Sequence, residues 1–258
     1  MSRIGLRVVA LGYLAALLVV PVGMVFYRAF EKGFGTAWDA VTTPPAQHAF
    51  YLTILIALVA VPANAVFGVT CAWVLARYDF RGKRVLDVLI DLPFAVSPVI
   101  VGLALILVWG RDGWFGSTEV IFSTPGMILA TIFVSLPFVV REVLPVLQEE
   151  GTDQEKAAST LGAGGWQTFW RITLPTIRWG LTYGVILSTA RAIGEFGAVA
   201  VVSGKIAGRT ETMTLYVEDR FQSLDLTGAY AAAVVLALLG IAVLAAMTLL
   251  QRRHRRTR

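Results

Sequence analysis

The stretch Gln148-Glu149-Glu150-Gly151-Thr152-Asp153-Gln154-Glu155-Lys156-Ala157-Ala158-Ser159-Thr160-Leu161-Gly162-Ala163-Gly164-Gly165-Trp166-Gln167-Thr168-Phe169-Trp170-Arg171-Ile172-Thr173-Leu174-Pro175 lies between two apolar runs. Asp153 can cap a helix whose first turn is acidic, which suits the positive end of its dipole. That helix is expected to run to about Leu161, where Gly162, Gly164 and Gly165 make a break or tight turn. A second short helix, Trp166 to Ile172, sets Trp166, Phe169, Trp170 and Ile172 at helical spacing before Pro175 resets the chain. Two short helices around a glycine elbow form a protrusion that a soluble partner can grip, with Trp166 and Phe169 as anchors. The same aromatics would also seat an interfacial helix at headgroup level. Both readings stand on the residues alone.

Outward from this segment the chain is strongly apolar. Of 258 residues 57% are hydrophobic and 15% charged, with a mean hydropathy of +0.71. Ordinary soluble domains carry about 25% charged residues, so a soluble globule is a poor reading. A single cysteine, Cys71, excludes an internal disulfide and a four-cysteine metal site. His48 and His254 do not suggest a metal centre, and no metal ligands are assigned. A spanning helix needs about 20 mostly apolar residues. Six segments qualify, at about 8–27, 49–76, 85–109, 126–147, 180–202 and 228–250, with 148–175 as the loop between the fourth and fifth. The expected fold is therefore an all-α polytopic membrane protein, a single transmembrane domain over 1–258. The first segment is longer than a signal-peptide core and no small-residue cleavage site follows it, so it is read as a retained helix.

Six spans put both termini on one side, and the basic residues choose it. With the termini inside, the inner segments hold Arg3, Arg7, Arg77, Arg81, Lys83, Arg84, Arg141, Lys156, Arg171, Arg178 and five tail arginines, Arg252, Arg253, Arg255, Arg256 and Arg258. The outer loops hold Arg28, Lys32, Arg111, Lys205, Arg209 and Arg220. The bias predicts cytoplasmic termini. The formal net charge of +5 is thus a membrane flank rather than a nucleic-acid footprint, since no stacking platform or zinc-ligand pair accompanies it.

Charge within the spans is expensive and points to function. Arg191 and Glu195 stand four residues apart on one helical face. They form either a structural pair between helices or a pathway element whose guanidinium offers donors to an oxyanion, and the two roles are compatible. Asp87 and Asp91 are similarly spaced. Asp87 is expected to bond the basic cluster Lys83 and Arg84, and Asp91 to stabilise a broken helix before Pro93; a cation or proton site is the alternative. Pro93, Pro98, Pro137 and Pro145 predict kinks in spans three and four.

Lys156-Ala157-Ala158, Gly162, Ile172, Leu174 and Pro175 resemble the EAA-loop pattern of the membrane subunits of ABC importers: E-A-A, three residues, G, nine residues, I, one residue, L-P. The resemblance implies the six-helix type I importer permease fold, with this loop as the coupling helix seated in a cleft of the ATP-hydrolysing subunit. It places Lys156, Ala157, Ala158 and Gly162, beside Trp166 and Phe169, at that contact. The motif's glutamate falls on Lys156, with Glu155 one residue early. Arg191-Ala192-Ile193-Gly194-Glu195-Phe196-Gly197-Ala198-Val199 resembles the span-five signature of sulfate, thiosulfate and molybdate permeases. Val202 to Thr212, followed by Leu215-Tyr216-Val217-Glu218, is similar to the W-type sulfate permeases more than to their T-type partners. That resemblance implies a bacterial inner-membrane subunit importing sulfate or thiosulfate. It further implies pairing with a T-type permease, two copies of a cytoplasmic ATPase and an external sulfate-binding protein.

No Gly-rich phosphate loop ending in Gly-Lys-Ser/Thr occurs, so this chain is expected to bind no cofactor and to hydrolyse nothing itself, ATP and Mg being held by the partner ATPase. Outer loops near 28–48, 111–125 and 203–227 are expected to receive the loaded binding protein. A molybdate or tungstate permease is the rival within transport. Outside transport, a membrane anchor or scaffold accounts for the spans but leaves the polar residues and loop unused. An intramembrane enzyme built on Asp87, Asp91 or Glu195 lacks a nucleophile–base constellation.

Overall fold

The computed structural model describes residues 3–116 and 120–255, so Arg256 and Arg258 of the basic tail lie outside the described residues. Every regular element among them is helical: α1 (Arg3–Leu14), a π turn (Ala15–Val19), α2 (Val20–Phe30), α3 (Phe34–Val41), α4 (Pro44–Arg77), α5 (Lys83–Ala95), α6 (Pro98–Trp109), α7 (Thr124–Glu150), α8 (Asp153–Thr160), α9 (Gly165–Thr168), a second π turn (Phe169–Thr173), α10 (Leu174–Ile193), α11 (Gly197–Val202), α12 (Met213–Gln222) and α13 (Leu226–Arg255). Four stretches are long and apolar enough to cross a bilayer: Arg7–Phe30, Pro44–Arg77, Thr124–Glu150 and Leu226–Leu249. They contain the expected spans 8–27, 49–76 and 126–147 and nearly all of 228–250.

The segment expected at 85–109 is not one straight span. It breaks into α5 and α6, which meet at 115°. Val96 and Ser97 are extended (ψ 136° and 134°), as a residue ahead of proline must be, and Pro98 then opens α6 at a position that needs no N–H donor. By contrast, α7 runs on through Pro137 and Pro145. The segment expected at 180–202 also differs. Its helix ends at Ile193, and the chain turns through Gly194 and Phe196 before α11.

The separate helix expected from Trp166 to Ile172 is absent as such. α9, the second π turn and α10 follow without interruption, forming one rod from Gly165 to Ile193. Pro175 does not reset the chain. The π turn closes with Leu174 N–H donating to the Phe169 carbonyl. The helix therefore passes Pro175 without the strict i→i−4 ladder that proline interrupts.

Contacts divide the chain into two compact units. One holds the residues up to Leu52 together with Ala207–Leu239. Its core sets Ala46, Ala49 and Ala232 around Met213 and the buried Tyr216. The Tyr216 hydroxyl lies 3.3 Å from Thr43 Oγ1, so the ring is buried while its polar tip stays satisfied. The apolar side chains of α1, the π turn after it and α2, Leu11, Leu17 and Val20 among them, are exposed, as expected of a helix facing lipid or another membrane segment.

The other unit holds Thr53–Ile206 and the chain from Gly240. α7 is its centre. Val139, Val140, Val143 and Leu147 pack with Val69, Ala72 and Leu75 of α4, Ile90 of α5 and Ile177 of α10. Gly184 permits this approach, because a Cβ there would stand 2.8 Å from Val139 Cα. One helical turn away, Asn64 of α4 donates to Ser135 Oγ of α7 at 2.8 Å, in the fully buried interior.

Candidate functional site

α8 begins after Thr152, with Asp153 and Glu155 in its first turn; Thr152 rather than Asp153 holds the cap position. It ends in a Schellman turn. Gly162 N–H bonds the Ser159 carbonyl at 3.0 Å and Ala163 N–H bonds the Ala158 carbonyl at 3.0 Å. Gly162 has φ +86°, a conformation that costs a side-chain-bearing residue dearly. Spacing alone had suggested the glycine break, and the backbone supplies its reason. Lys156 and Ala157 are exposed and Ala158 is half-buried. Beyond the motif, Leu161 is 88% exposed at the tip of the elbow. Its lack of any periodic neighbour hid it from sequence reasoning.

The acid that matters locally is Glu155. Arg77, the last residue of α4, donates Nε to Glu155 Oε2 at 3.0 Å and Nη2 to Oε1 at 3.1 Å. Its remaining Nη1 donates to the Leu147 carbonyl at 2.8 Å, one of the last four of α7. Thr173 of the π turn donates Oγ1 to Glu155 Oε1 at 3.0 Å. The Arg77 and Glu155 side chains are only 9% and 20% exposed. A paired, bidentate arginine–carboxylate contact in that setting is directional and strong. The Arg77–Glu155 pair therefore ties α8 to α4, α7 and the long rod. Arg77 and Thr173 were not legible as members of this site, because each is remote in sequence and unremarkable at its own position.

The aromatics of the elbow turn partly inward. Trp166 stacks on Phe169 (centroids 6.1 Å, planes 20° apart) and Phe169 meets Trp73 of α4 at 5.9 Å. Trp166 nevertheless stays 73% exposed. Thus Phe169 serves intramolecular packing, while Lys156, Ala157, Leu161 and Trp166 present the outward surface.

The charges in the spans sort differently from expectation. Arg141 sits inside α7. It donates Nε to Asp91 Oδ1 at 2.7 Å and pairs Nη2 with Asp87 Oδ1 at 2.9 Å. Lys83 pairs instead with Asp79, at 2.8 Å. The reason is geometric: Asp87 and Asp91 lie on the face of α5 turned to α7, whereas Lys83 opens the helix beside the loop carrying Asp79. The triad joins α5, just before its break, to α7. The expected pair of Arg191 and Glu195 forms, Nη1 to Oε2 at 2.7 Å, with Glu195 2% and Arg191 30% exposed. Glu195 Oε1 also accepts the Ala198 N–H at 2.9 Å, stabilising the start of α11. The arrangement holds Glu195 structurally and leaves Arg191 open on one side.

Outside the spans, Glu211 is 3% exposed between the buried Thr210 and Thr212. Burial pushes its carboxyl up to about 6, the Asp219 charge adding to the rise and Arg220 opposing it.

Residues 64–256 match the family described as binding-protein-dependent transport system inner membrane component. The chain is 52% identical over 250 residues to the sulfate transport system permease protein CysW of Synechocystis, covering 95% of this chain and 91% of that one. It is 37% identical over 250 residues to the sulfate transport system permease protein CysT of Escherichia coli, covering 95% and 90%. A bacterial alginate ABC transporter, solved in complex with an alginate pentasaccharide-bound periplasmic protein, superposes with a TM-score of 0.78 over 96% of this chain and 93% of that one, at 17% identity.

Proposed function

This chain belongs to the binding-protein-dependent transport system inner membrane components, and we propose that it is the W-type membrane subunit of an ATP-driven sulfate or thiosulfate importer. The reading is carried by the elbow pinned through Glu155 to three membrane-associated helices, in a chain half identical to a sulfate permease. It takes six crossings, α5–α6 and the rod with α11 counting as one each, with both termini cytoplasmic and the 148–175 elbow on the same side. A T-type permease completes the pathway, as the 37% identity to such a subunit supports. Two copies of a cytoplasmic ATPase hold ATP and Mg, and an external binding protein delivers the anion. The chain itself binds no nucleotide.

The physical route of coupling follows from the connections. Lys156, Ala157, Ala158, Gly162, Leu161 and Trp166 meet the ATPase. A displacement of α8 passes through Glu155 to Arg77 and Thr173, because a bidentate pair resists both stretch and rotation. The rod from Gly165 to Ile193 then carries motion roughly 40 Å, at 1.5 Å per residue, to Arg191 and Glu195. Arg191 offers its open side to the passing dianion, offsetting desolvation that an uncharged pathway cannot. The Asp87–Arg141–Asp91 triad keeps the broken third span attached to α7 as the helices reorient.

The test is ATP-driven uptake of labelled sulfate into vesicles holding the purified complex, with excess molybdate as competitor. Sulfate accumulation that molybdate barely reduces is expected. Entry of molybdate with exclusion of sulfate would overturn the cargo; entry of neither, with partner binding and ATP turnover intact, would overturn the oxyanion reading.

A further inference from the structure

Beside the elbow lies a further apolar surface. A groove of about 480 Å³ opens between α4 and the start of the long rod, walled by Val66, Val69, Trp73, Trp166, Phe169 and Trp170. Depth limits what fills it. Val66 to Trp73 covers about 10 Å of helix rise, on a helix long and apolar enough to cross the membrane, so a soluble domain does not reach its upper end. The lining limits the occupant further. Tryptophans gather where an apolar body meets a wet interface, and here they close only the elbow end, leaving valines above. The π turn runs through this wall. It lies within the stretch where Trp166, Phe169 and Trp170 share one side of the rod with Leu174 and Leu181, which also line the groove. Charge completes the argument. Arg171 directly follows Trp170, and Arg178 stands one turn beyond Leu174. Both are exposed, and neither pairs with a carboxylate among the described residues.

We propose that this groove binds an anionic phospholipid, with one acyl chain lying between α4 and the rod and the phosphate held by Arg171 and Arg178. The site is independent of the cargo and requires only that the chain spans the membrane. Two cations at the headgroup level correspond to a preference of roughly tenfold or more for anionic over zwitterionic lipid. A lipid seated there fills the space beside Phe169, at the foot of the rod, which places coupling under the influence of the surrounding bilayer.

The experiment uses the full-length chain, purified with the subunits that accompany it, in nanodiscs of zwitterionic phospholipid. Acyl-brominated phosphatidylglycerol or acyl-brominated phosphatidylcholine is added, and tryptophan fluorescence quenching is followed. The Trp166→Phe/Trp170→Phe variant identifies the groove's share of the signal. That share should saturate at about a tenfold lower mole fraction of the brominated phosphatidylglycerol. Arg171→Gln/Arg178→Gln should erase the difference, and Arg171→Lys/Arg178→Lys should retain it. Equal curves for the two lipids would mean ordinary bulk contact and overturn the proposal. Absence of quenching at Trp166 and Trp170 by either lipid would mean that a protein segment fills the groove, and would overturn it as well.

Discussion

Gly162, Glu155 and Glu211 each act through a different physical term. At Gly162 space is plentiful, since a Cβ would meet nothing within 4 Å, but φ is +86°. Gly162→Val therefore costs about 1–2 kcal/mol in backbone strain without any clash. It should speed hydrogen exchange across 153–163 and lower uptake per ATP hydrolysed. At the neighbouring motif position, Lys156 is exposed and Glu155 carries the Arg77 pair. Glu155→Gln should cost on the order of 2 kcal/mol, because it leaves a largely buried guanidinium short of its counter-charge. Lys156→Glu should stay within about 0.5 kcal/mol. Thermal unfolding of the two variants side by side separates them; equal losses would show that the pair at Arg77 has no special weight. Glu211 contributes pH dependence. Its carboxyl binds the proton more tightly when folded (about 6) than its ordinary value of 4.5. Its contribution is therefore most favourable below the ordinary value and declines as pH rises through about 6, by at most about 2 kcal/mol. Urea unfolding between pH 5 and 7 should show this decline, and Glu211→Gln should flatten it.

At the scale of elements, packing and breaks divide the work. α7 and α10 approach closely because Gly184 leaves Val139 room, and Gly68 of α4 does the same from another side, where a Cβ would lie 2.7 Å from Val139 Cβ. Gly184→Leu should destabilise by about 2–3 kcal/mol through overpacking. It should shift the melting temperature while leaving the elbow's hydrogen exchange unchanged. α5 is held differently: its apolar residues Val85, Val88 and Leu89 are exposed, and it meets α7 through the buried Ile90 together with the Arg141 pair to Asp87 and Asp91. The hydropathy of 85–109 was enough to identify a membrane segment, yet a bend of 115° was not readable from it. A proline marks where a helix can restart. The angle at which it restarts depends on what the next turn packs against, here Gly102 against Ala198 and Val201.

The whole molecule is a membrane subunit whose orientation is open to a direct test. Cys71 is its one cysteine, so a Cys71→Ser background makes single-cysteine reporters clean. Leu161→Cys should react with an impermeant maleimide only from the cytoplasmic side, and Leu224→Cys only from the opposite side. Both side chains are more than 80% exposed within this chain, at 88% and 82%. Labelling of both from one face would contradict the topology drawn from the basic residues.

Sequence by itself determined the environment, the helical class and the location of the glycine elbow. These depend on local quantities: length of apolar run, distribution of arginine and lysine, and the glycine that a left-handed turn demands. It also paired Arg191 with Glu195, although α10 ends at Ile193 and Glu195 meets Arg191 from the turn that follows rather than from the same helical face. The partners of Glu155, Asp87, Asp91 and Arg141 were decided only in the tertiary structure. Each belongs to a contact between helices 18 to 78 residues apart in the chain. The sequence offered Lys83 and Arg84 as equally charged neighbours for Asp87. Which cation faces the carboxylate is set by helix rotation and packing, here by Ile90 of α5 buried against α7, which turns Asp87 toward Arg141.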